Sequence, residues 1–458
     1  MNLLNLLNNI TTNAKQQTPN AKQFQMNNKL IFWTITVGLG GFLFGLDVAV
    51  ISGAEQAIQK LWNLSDIMHG TAIAMALYGT IVGAAFGNIP ANKIGRKNTL
   101  IVIGIIFLIS SLGAAMASDV YTFMLFRLLG GLSIGASSVV APVYISEIAP
   151  AQHRGKMVIA FQLNIVAGIL IAYVSNYLFR GAGGENDWRW MLGIVAAPSF
   201  VFSILMFFTP ESPRWLLLHK NDEASARAIL QLTENNVDEI ITSIKNTKEE
   251  NKESLFSGKF GKPLLLAFLL AFFNQMSGIN AIIYFAPRVF EMAGLGADSA
   301  FLSTAGIGVV NFVFTLIGWY LIDRAGRKML MFIGSIGYII SLALIAWSFY
   351  SGHQDFITYF VFLFIASHAI GQGAVIWVFI SEIFPNSVRA EGMSFGSLTH
   401  WVFAAVISQV FPYFTKFGGS PIFLFFCIMM VFQLIFVWKM MPETKGMSLE
   451  SMDGRGMH

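Results

Sequence analysis

The chain has 458 residues, of which 55% are hydrophobic and only 12% charged, against a usual charged share of about 25% in soluble domains. A soluble fold could not hide this much apolar surface, and a net charge of +4 carried by Lys and Arg in short polar segments excludes a nucleic-acid-binding surface. The one cysteine, Cys427, lies in an apolar run and can form no internal disulfide.

A helix needs about 20 apolar residues to cross a bilayer, and twelve runs meet that requirement. They cover 30–52, 70–90, 98–117, 121–142, 156–178, 189–209, 263–290, 299–322, 329–350, 357–383, 392–415 and 420–441. Residues 1–29 precede them as an Asn/Gln-rich, cytoplasmic and disordered tail without the basic start and apolar core of a signal peptide. Between the sixth and seventh runs, residues 210–262 turn polar and predict a soluble, mainly helical bridge. Residues 442–458 form a second cytoplasmic tail. The expected fold is all-α and membrane-spanning: two six-helix bundles, 30–209 and 263–441, joined by that linker.

Three phrases recur in the same order. Asn92-Lys93-Ile94-Gly95-Arg96-Lys97 answers Asp323-Arg324-Ala325-Gly326-Arg327-Lys328, with the glycines 231 apart (326 − 95). The stretch from Tyr144 through Glu147 to Arg154 answers Phe379 through Glu382 to Arg389, an offset of 235 (382 − 147). Pro210-Glu211 answers Pro442-Glu443, an offset of 232 (443 − 211). A repeat of half the chain is the mark of a secondary transporter with its substrate site between the halves. The basic loops, the two tails and the bridge all alternate to one side, which the positive-inside bias makes the cytoplasm. Both termini are therefore expected inside, with a 6+6 topology of the major facilitator type.

The phrase Gly40-Gly-Phe-Leu-Phe-Gly45-Leu-Asp47, the two Gly-Arg-Lys loops, Pro210-Glu-Ser-Pro-Arg214, Gln275-Met-Ser-Gly278-Ile-Asn280 and Pro442-Glu-Thr-Lys-Gly446 carry a resemblance. From about Leu30 to Leu449 the chain resembles the sugar porters of the major facilitator superfamily, both the bacterial proton-coupled xylose, glucose and galactose symporters and the facilitative glucose carriers.

Asp47 is the most telling residue within a span, since an ionisable group there costs roughly 2.5–3.5 kcal/mol to insert and is by default functional. Arg127, in the fourth run, lies at a matching depth and is its natural partner. Gly131 and Gly135 follow Arg127 at i+4 and i+8, a small-residue face that admits a close neighbour. The resemblance implies that Asp47 binds a driving proton while Arg127 controls its release; a permanent salt bridge that only fixes packing is the alternative. By the same resemblance Phe44, Gln162, Asn274, Gln275, Asn280, Tyr284, Asn311, Gly373, Trp377, His400 and Trp401 line a sugar site. Gly278, Gly371 and Gly373 would let the seventh and tenth helices break beside it. Asn274 stands where the family usually has a glutamine, His400 where it has an amide, and His368 where it often has an aromatic, which leaves open which monosaccharide is carried. Each imidazole is either a hydroxyl ligand, a titrating group or a neutral packing element.

Arg96, Glu147, Arg154, Glu211, Arg214, Arg327, Glu382 and Arg389 gather at the cytoplasmic ends, where exposed ion pairs of about 0–1 kcal/mol each would make a breakable latch. The alternative is that they only fix topology. The leading expectation is a plasma-membrane importer of a monosaccharide by proton symport with alternating access, working as a monomer in the lipid bilayer. A passive uniporter and a non-transporting sensor are the alternatives. No nucleophile–base set, metal cluster or phosphate loop is present to suggest an enzyme, and no cofactor or metal is expected.

Overall fold

In the computed structural model, residues 28–150, 154–234, 236–246, 254–385 and 387–446 are described, except that the side chains of 28, 154–156, 158 and 159 are not. Residues 1–27 of the expected N-terminal tail and most of the C-terminal one lie outside these residues, while 28 and 29, expected in the tail, already belong to the first helix. No strand occurs among the described residues. Among the described residues twelve helices are long and apolar enough to cross a membrane: Lys29–Leu61, Asp66–Phe86, Arg96–Met116, Val120–Ile148, Ala160–Phe179, Gly184–Phe207, Gly261–Met292, Ala297–Ala325, Arg327–Ser351, Gln354–Glu382, Arg389–Phe417 and Gly419–Lys439. They are numbered here as spans one to twelve.

Span one runs nine residues past the predicted end at 52, because its polar extension, Glu55 to Lys60, finds partners instead of turning into a loop. Span two begins four residues earlier than predicted, where Ser65 caps Asp66–Phe86 by accepting a hydrogen bond from the Met68 N–H. Pro90, assigned to this span by hydropathy, belongs to a separate short helix, Asn88–Ile94. The bridge after span six contains helices Glu223–Leu230 and Val237–Asn246, packed through Leu217, Ala226, Leu230 and Ile241.

Within the first half, spans two and four interlock through glycine on both sides. A Cβ on Gly131 would stand 1.9 Å from the Ala76 carbonyl oxygen, and one on Gly79 would stand 2.2 Å from that of Leu128. Spans one and five approach in the same manner, Gly45 against Ile165 and Gly168 against Phe42. Such backbone contact supplies the dispersion that lipid-facing helices lack a hydrophobic reason to seek. Between the halves, span two packs on span eleven and span five on span eight. Shifting each number by six exchanges these two contacts, as pseudo-twofold symmetry of the repeat demands.

The close packing gives a direct test. Gly131→Val should cost about 1–3 kcal/mol through overpacking, read as a lower melting temperature in detergent. Gly193→Ala, whose added methyl meets only an ordinary contact at 3.7 Å, should melt close to the parent protein. Equal melting of Gly131→Val and the parent would mean that spans two and four can separate freely.

Candidate functional site

Asp47 and Arg127 meet. Both side chains are about 2% exposed, and the Arg127 Nη1 donates to both carboxylate oxygens of Asp47, at 2.9 and 3.0 Å. Its Nη2 donates to the Asp47 backbone carbonyl at 3.4 Å, while its Nε is buried without a partner. The pair lies wholly within the first half. From the second half, span seven brings the buried Tyr284, whose hydroxyl has no hydrogen-bond partner and lies within electrostatic reach of both charges.

Span seven is broken where its glycine predicts. Gly278 takes φ +83°, and the helix divides into Gly261–Met276 and Ile279–Met292. A second kink, not foreseen, falls at Phe285, two residues before Pro287. Proline cannot donate to the carbonyl four residues back, which is that of Ile283. The Tyr173 hydroxyl, from span five in the other half, donates to it instead at 3.0 Å. Span ten breaks through a π turn at Ala369–Gly373, which includes Gly371 and Gly373. Single π turns are common at functional sites because they re-aim side chains.

At these breaks a chain of amides forms. Asn280 Nδ2 donates to Gln275 Oε1 at 2.8 Å, and Gln275 Nε2 donates to Asn274 Oδ1 at 2.9 Å. Both ring nitrogens of His400 lie near Gln275 Nε2, at 3.2 and 3.1 Å. Asn274 continues to Gln372, Gln372 to Gln433, and Gln433 to Ser335. Gln372 and Gln433 were missed in the sequence; each is a fully buried amide within an apolar run, which was the available signal. The Trp377 ring lies 5.2 Å from His400 and the Trp401 ring 4.8 Å from it, while Phe44 reaches Trp401 from the first half at 5.6 Å. Gln162, Asn311 and Gly373 are half-buried. His368 is engaged elsewhere, its Nδ1 bonded to the Tyr338 hydroxyl.

At the face where spans one and seven begin and spans six and twelve end, each repeat assembles its three phrases into one knot. Arg96 grips Glu147 with Nε and Nη2 at 3.0 and 3.2 Å, and Arg327 grips Glu382 with the same atoms at 3.0 and 2.7 Å. Glu211 accepts from the N–H groups of Arg96 and Lys97, capping span three, as Glu443 accepts from Arg327 and Lys328 and caps span nine. The turn demands glycine: Gly95 has φ +97° and Gly326 φ +89°, and a Cβ on Gly95 would stand 2.1 Å from Glu211 Oε2. The Arg96 and Glu147 side chains are only 11% and 8% exposed, so these two-pronged pairs are stronger than the exposed pairs expected from sequence. Each knot closes within its own half. Arg389 donates to the Phe384 carbonyl instead of Glu382, and Arg214 is exposed outside the knot. The side chain of Arg154 lies outside the described residues.

At the opposite face the halves are tied to each other. Glu55 pairs with Arg288, Asp66 with Lys416 and Arg180 with Asp298. Tyr78 donates to Gln409, and a Cβ on Gly70 would stand 1.9 Å from the Gln409 carbonyl oxygen. The two halves are therefore closed against each other at this face.

Comparisons with known proteins agree with this architecture. The model of the family described as "Sugar (and other) transporter" matches residues 33–454. The "Glucose transporter GlcP" of Staphylococcus epidermidis is 36% identical over 93% of this chain and 97% of its own length. The "Arabinose-proton symporter" of Bacillus subtilis is 34% identical over 98% and 99%, and the "D-xylose-proton symporter" of Escherichia coli K12 is 33% identical over 94% and 96%. Among solved structures, the inward open conformation of the xylose transporter XylE from E. coli superposes with a TM-score of 0.82 at 30% identity, covering 92% of this chain and 99% of that one.

The knots differ in charge balance. Burial pushes the Glu211 carboxyl above its ordinary range despite the N–H groups of Ser212, Lys97 and Arg96. At Glu443 burial acts in the same direction, but the N–H groups of Lys445, Arg327, Lys328 and Thr444 outweigh it and hold the carboxyl below the ordinary range. A depressed carboxyl contributes stability that is present above its unfolded value, about 4.3, and is lost as pH falls through its folded value. Glu443→Ala should thus cost about 1 kcal/mol at pH 7 by uncapping span nine, and Glu211→Ala less. Thermal melting at pH 7 and pH 4 checks this: the Glu443→Ala deficit should shrink at the lower pH.

Proposed function

The chain belongs to the sugar-transporter family, and on that premise we propose that it is a secondary transporter that imports a monosaccharide by proton symport through alternating access. The observation that carries the reading is the meeting of two chemistries along span seven, through Asn280 and Tyr284. A network of uncharged amides, His400 and indole rings lies mainly in the second half, and the buried Asp47–Arg127 pair lies in the first. A neutral polyol requires hydroxyl partners and a flat apolar wall, which amides and tryptophans supply without a formal counter-charge. A proton requires a carboxylate whose partner can change.

The amides of Gln275, Asn280 and Asn274 satisfy one another, so each sugar hydroxyl would replace an existing hydrogen bond without creating a buried unpaired group. Trp377, Trp401 and Phe44 would cover the ring, with Gln162 and Asn311 completing the site from spans five and eight. Tyr284 touches on both chemistries. It lies four residues after Asn280 on span seven, beside the ion pair, so movement of span seven about sugar would be felt at Asp47.

In this reading the face carrying the two knots is cytoplasmic, as the Lys and Arg of its loops favour. The bonds tying the halves at the opposite face then make this an inward-facing form. In the outward-facing form the paired knots beneath the two halves would come together. One charge crossing 100 mV is worth about 2.3 kcal/mol, which supports roughly 50-fold accumulation.

Asp47→Asn should abolish uphill accumulation driven by a pH gradient in proteoliposomes while leaving sugar exchange at equal concentration intact. Continued accumulation would remove Asp47 as the coupling site and favour a uniporter.

Gln275→Ala should weaken binding of the transported sugar by about 1–3 kcal/mol, since it strips partners from both the sugar and Asn280. Calorimetry against D-xylose, D-glucose and L-arabinose checks this, and unchanged affinity for whichever of them binds would place the sugar elsewhere.

A further inference from the structure

Glu55 is the most completely enclosed acid among the described residues, at 0% exposure, and its environment is built from both halves. It lies eight residues beyond Asp47 on span one, about 12 Å further out at 1.5 Å per residue. His69 of span two donates from Nε2 to Glu55 Oε2 at 2.8 Å. Arg288 of span seven donates from Nε to Oε1 at 2.9 Å and from Nη2 to Oε2 at 2.6 Å. The same Nη2 donates to Gln59, and Gln59 donates to Asp66, which is paired with Lys416 of span eleven. Glu291 also lies within electrostatic reach of Arg288. The ring of Phe285, the kink residue of span seven, closes over His69 edge-on at 6.2 Å.

His69 has a partner at only one of its ring nitrogens. A carboxylate only accepts, so Nε2 carries a hydrogen. Nδ1 is buried and has no partner. A proton added there would become a buried N–H without an acceptor, and it would place a second cation against a carboxylate already gripped by Arg288. Both consequences are costly away from water.

Opening reverses this balance. Arg288 belongs to the second half and leaves with span seven, whereas Glu55 and His69 both belong to the first and stay together. Glu55 then lacks a cation, and Nδ1 gains access to water. We propose that Glu55 and His69 form a second proton-binding site, distinct from Asp47, in which a proton and Arg288 are alternative partners for the same carboxylate. Arg288 displaces the proton when the outer side shuts, and a proton replaces Arg288 when it opens. The open form binds this proton more tightly, so external acid shifts the population toward outward-facing. The inference rests on the alternating-access part of the proposed function and not on which sugar is carried.

The test is a distance measurement between spin labels at Tyr121→Cys and Tyr350→Cys, on the outer ends of spans four and nine, in a Cys427→Ser, Asp47→Asn background that silences the other carboxylate. One proton can change the open-to-shut ratio by at most about tenfold per pH unit. The expected rise from pH 8 to pH 6 is at least about fivefold. His69→Gln keeps an N–H donor to Glu55 but no titrating nitrogen, and it should reduce the rise to less than about twofold. Glu55→Gln should flatten it equally, providing the same test should His69→Gln fold poorly. Arg288→Gln should favour the open form at pH 8. A pH response retained in both His69→Gln and Glu55→Gln, with distances that still respond to D-glucose or D-xylose, overturns the second site alone. Distances that answer to neither pH nor sugar in any variant overturn alternating access and the second site with it.

Discussion

A charge taken out of water must keep a partner, and this rule decides which parts of the molecule can move against each other. Removing one member of a buried pair costs several kcal/mol, because the other is left uncompensated. Asp47 and Arg127, and likewise Arg96 with Glu147 and Arg327 with Glu382, are paired inside a single half. Rigid rocking of the halves leaves the Arg96–Glu147 and Arg327–Glu382 bonds intact, whereas at Asp47–Arg127 it changes the surroundings that Tyr284 of the other half supplies. The pairs that rocking must break are those that cross, Glu55 with Arg288, Asp66 with Lys416 and Arg180 with Asp298, and they gather at one face.

The crossing pairs are built so that breakage does not strand a charge. Asp298, Asp66 and Lys416 retain contact with solvent, with side chains 91%, 17% and 62% exposed, so water replaces the lost partner. Glu55 has no such exposure, and His69 takes that role by staying with it. The glycine contacts sort in the same way. Those of Gly45, Gly131 and Gly168 weld helices within the first half, whereas Gly70 lies against Gln409 across the interface, where a close but unbonded backbone contact can separate.

Much of this was legible because the chain repeats itself and because a polar residue in an apolar run is conspicuous. Asp47 and Arg127 could be matched by depth alone, and Gly278 and Gly371 mark the breaks in spans seven and ten where the structure has them. The sequence did not show where an apolar run stops being a helix. Glu55 fell beyond the predicted end of span one and His69 one residue before the predicted start of span two, so both looked like loop residues. Arg288 lay inside the predicted seventh run and was overlooked, although an ionisable group there requires a partner. The kink at Phe285 was hidden for a different reason: Pro287 shows that a carbonyl is freed, but only the tertiary structure shows that Tyr173 of the other half satisfies it.

The outer half of span seven joins these levels. Tyr284 stands beside the Asp47–Arg127 pair, the Ile283 carbonyl accepts from Tyr173, the Phe285 ring covers His69, and Arg288 grips Glu55. All four contacts reach into the first half from six consecutive residues, and just before them the chain is hinged at Gly278. A segment anchored on one side and hinged on the other moves as a unit, so under the proposed function sugar at Asn280, the carboxylate at Asp47 and closure at Glu55 cannot change independently. Coupling of this kind needs no long relay through the core. It follows from one short helix carrying, on successive turns, a contact to each of the three places where the state of the protein is decided.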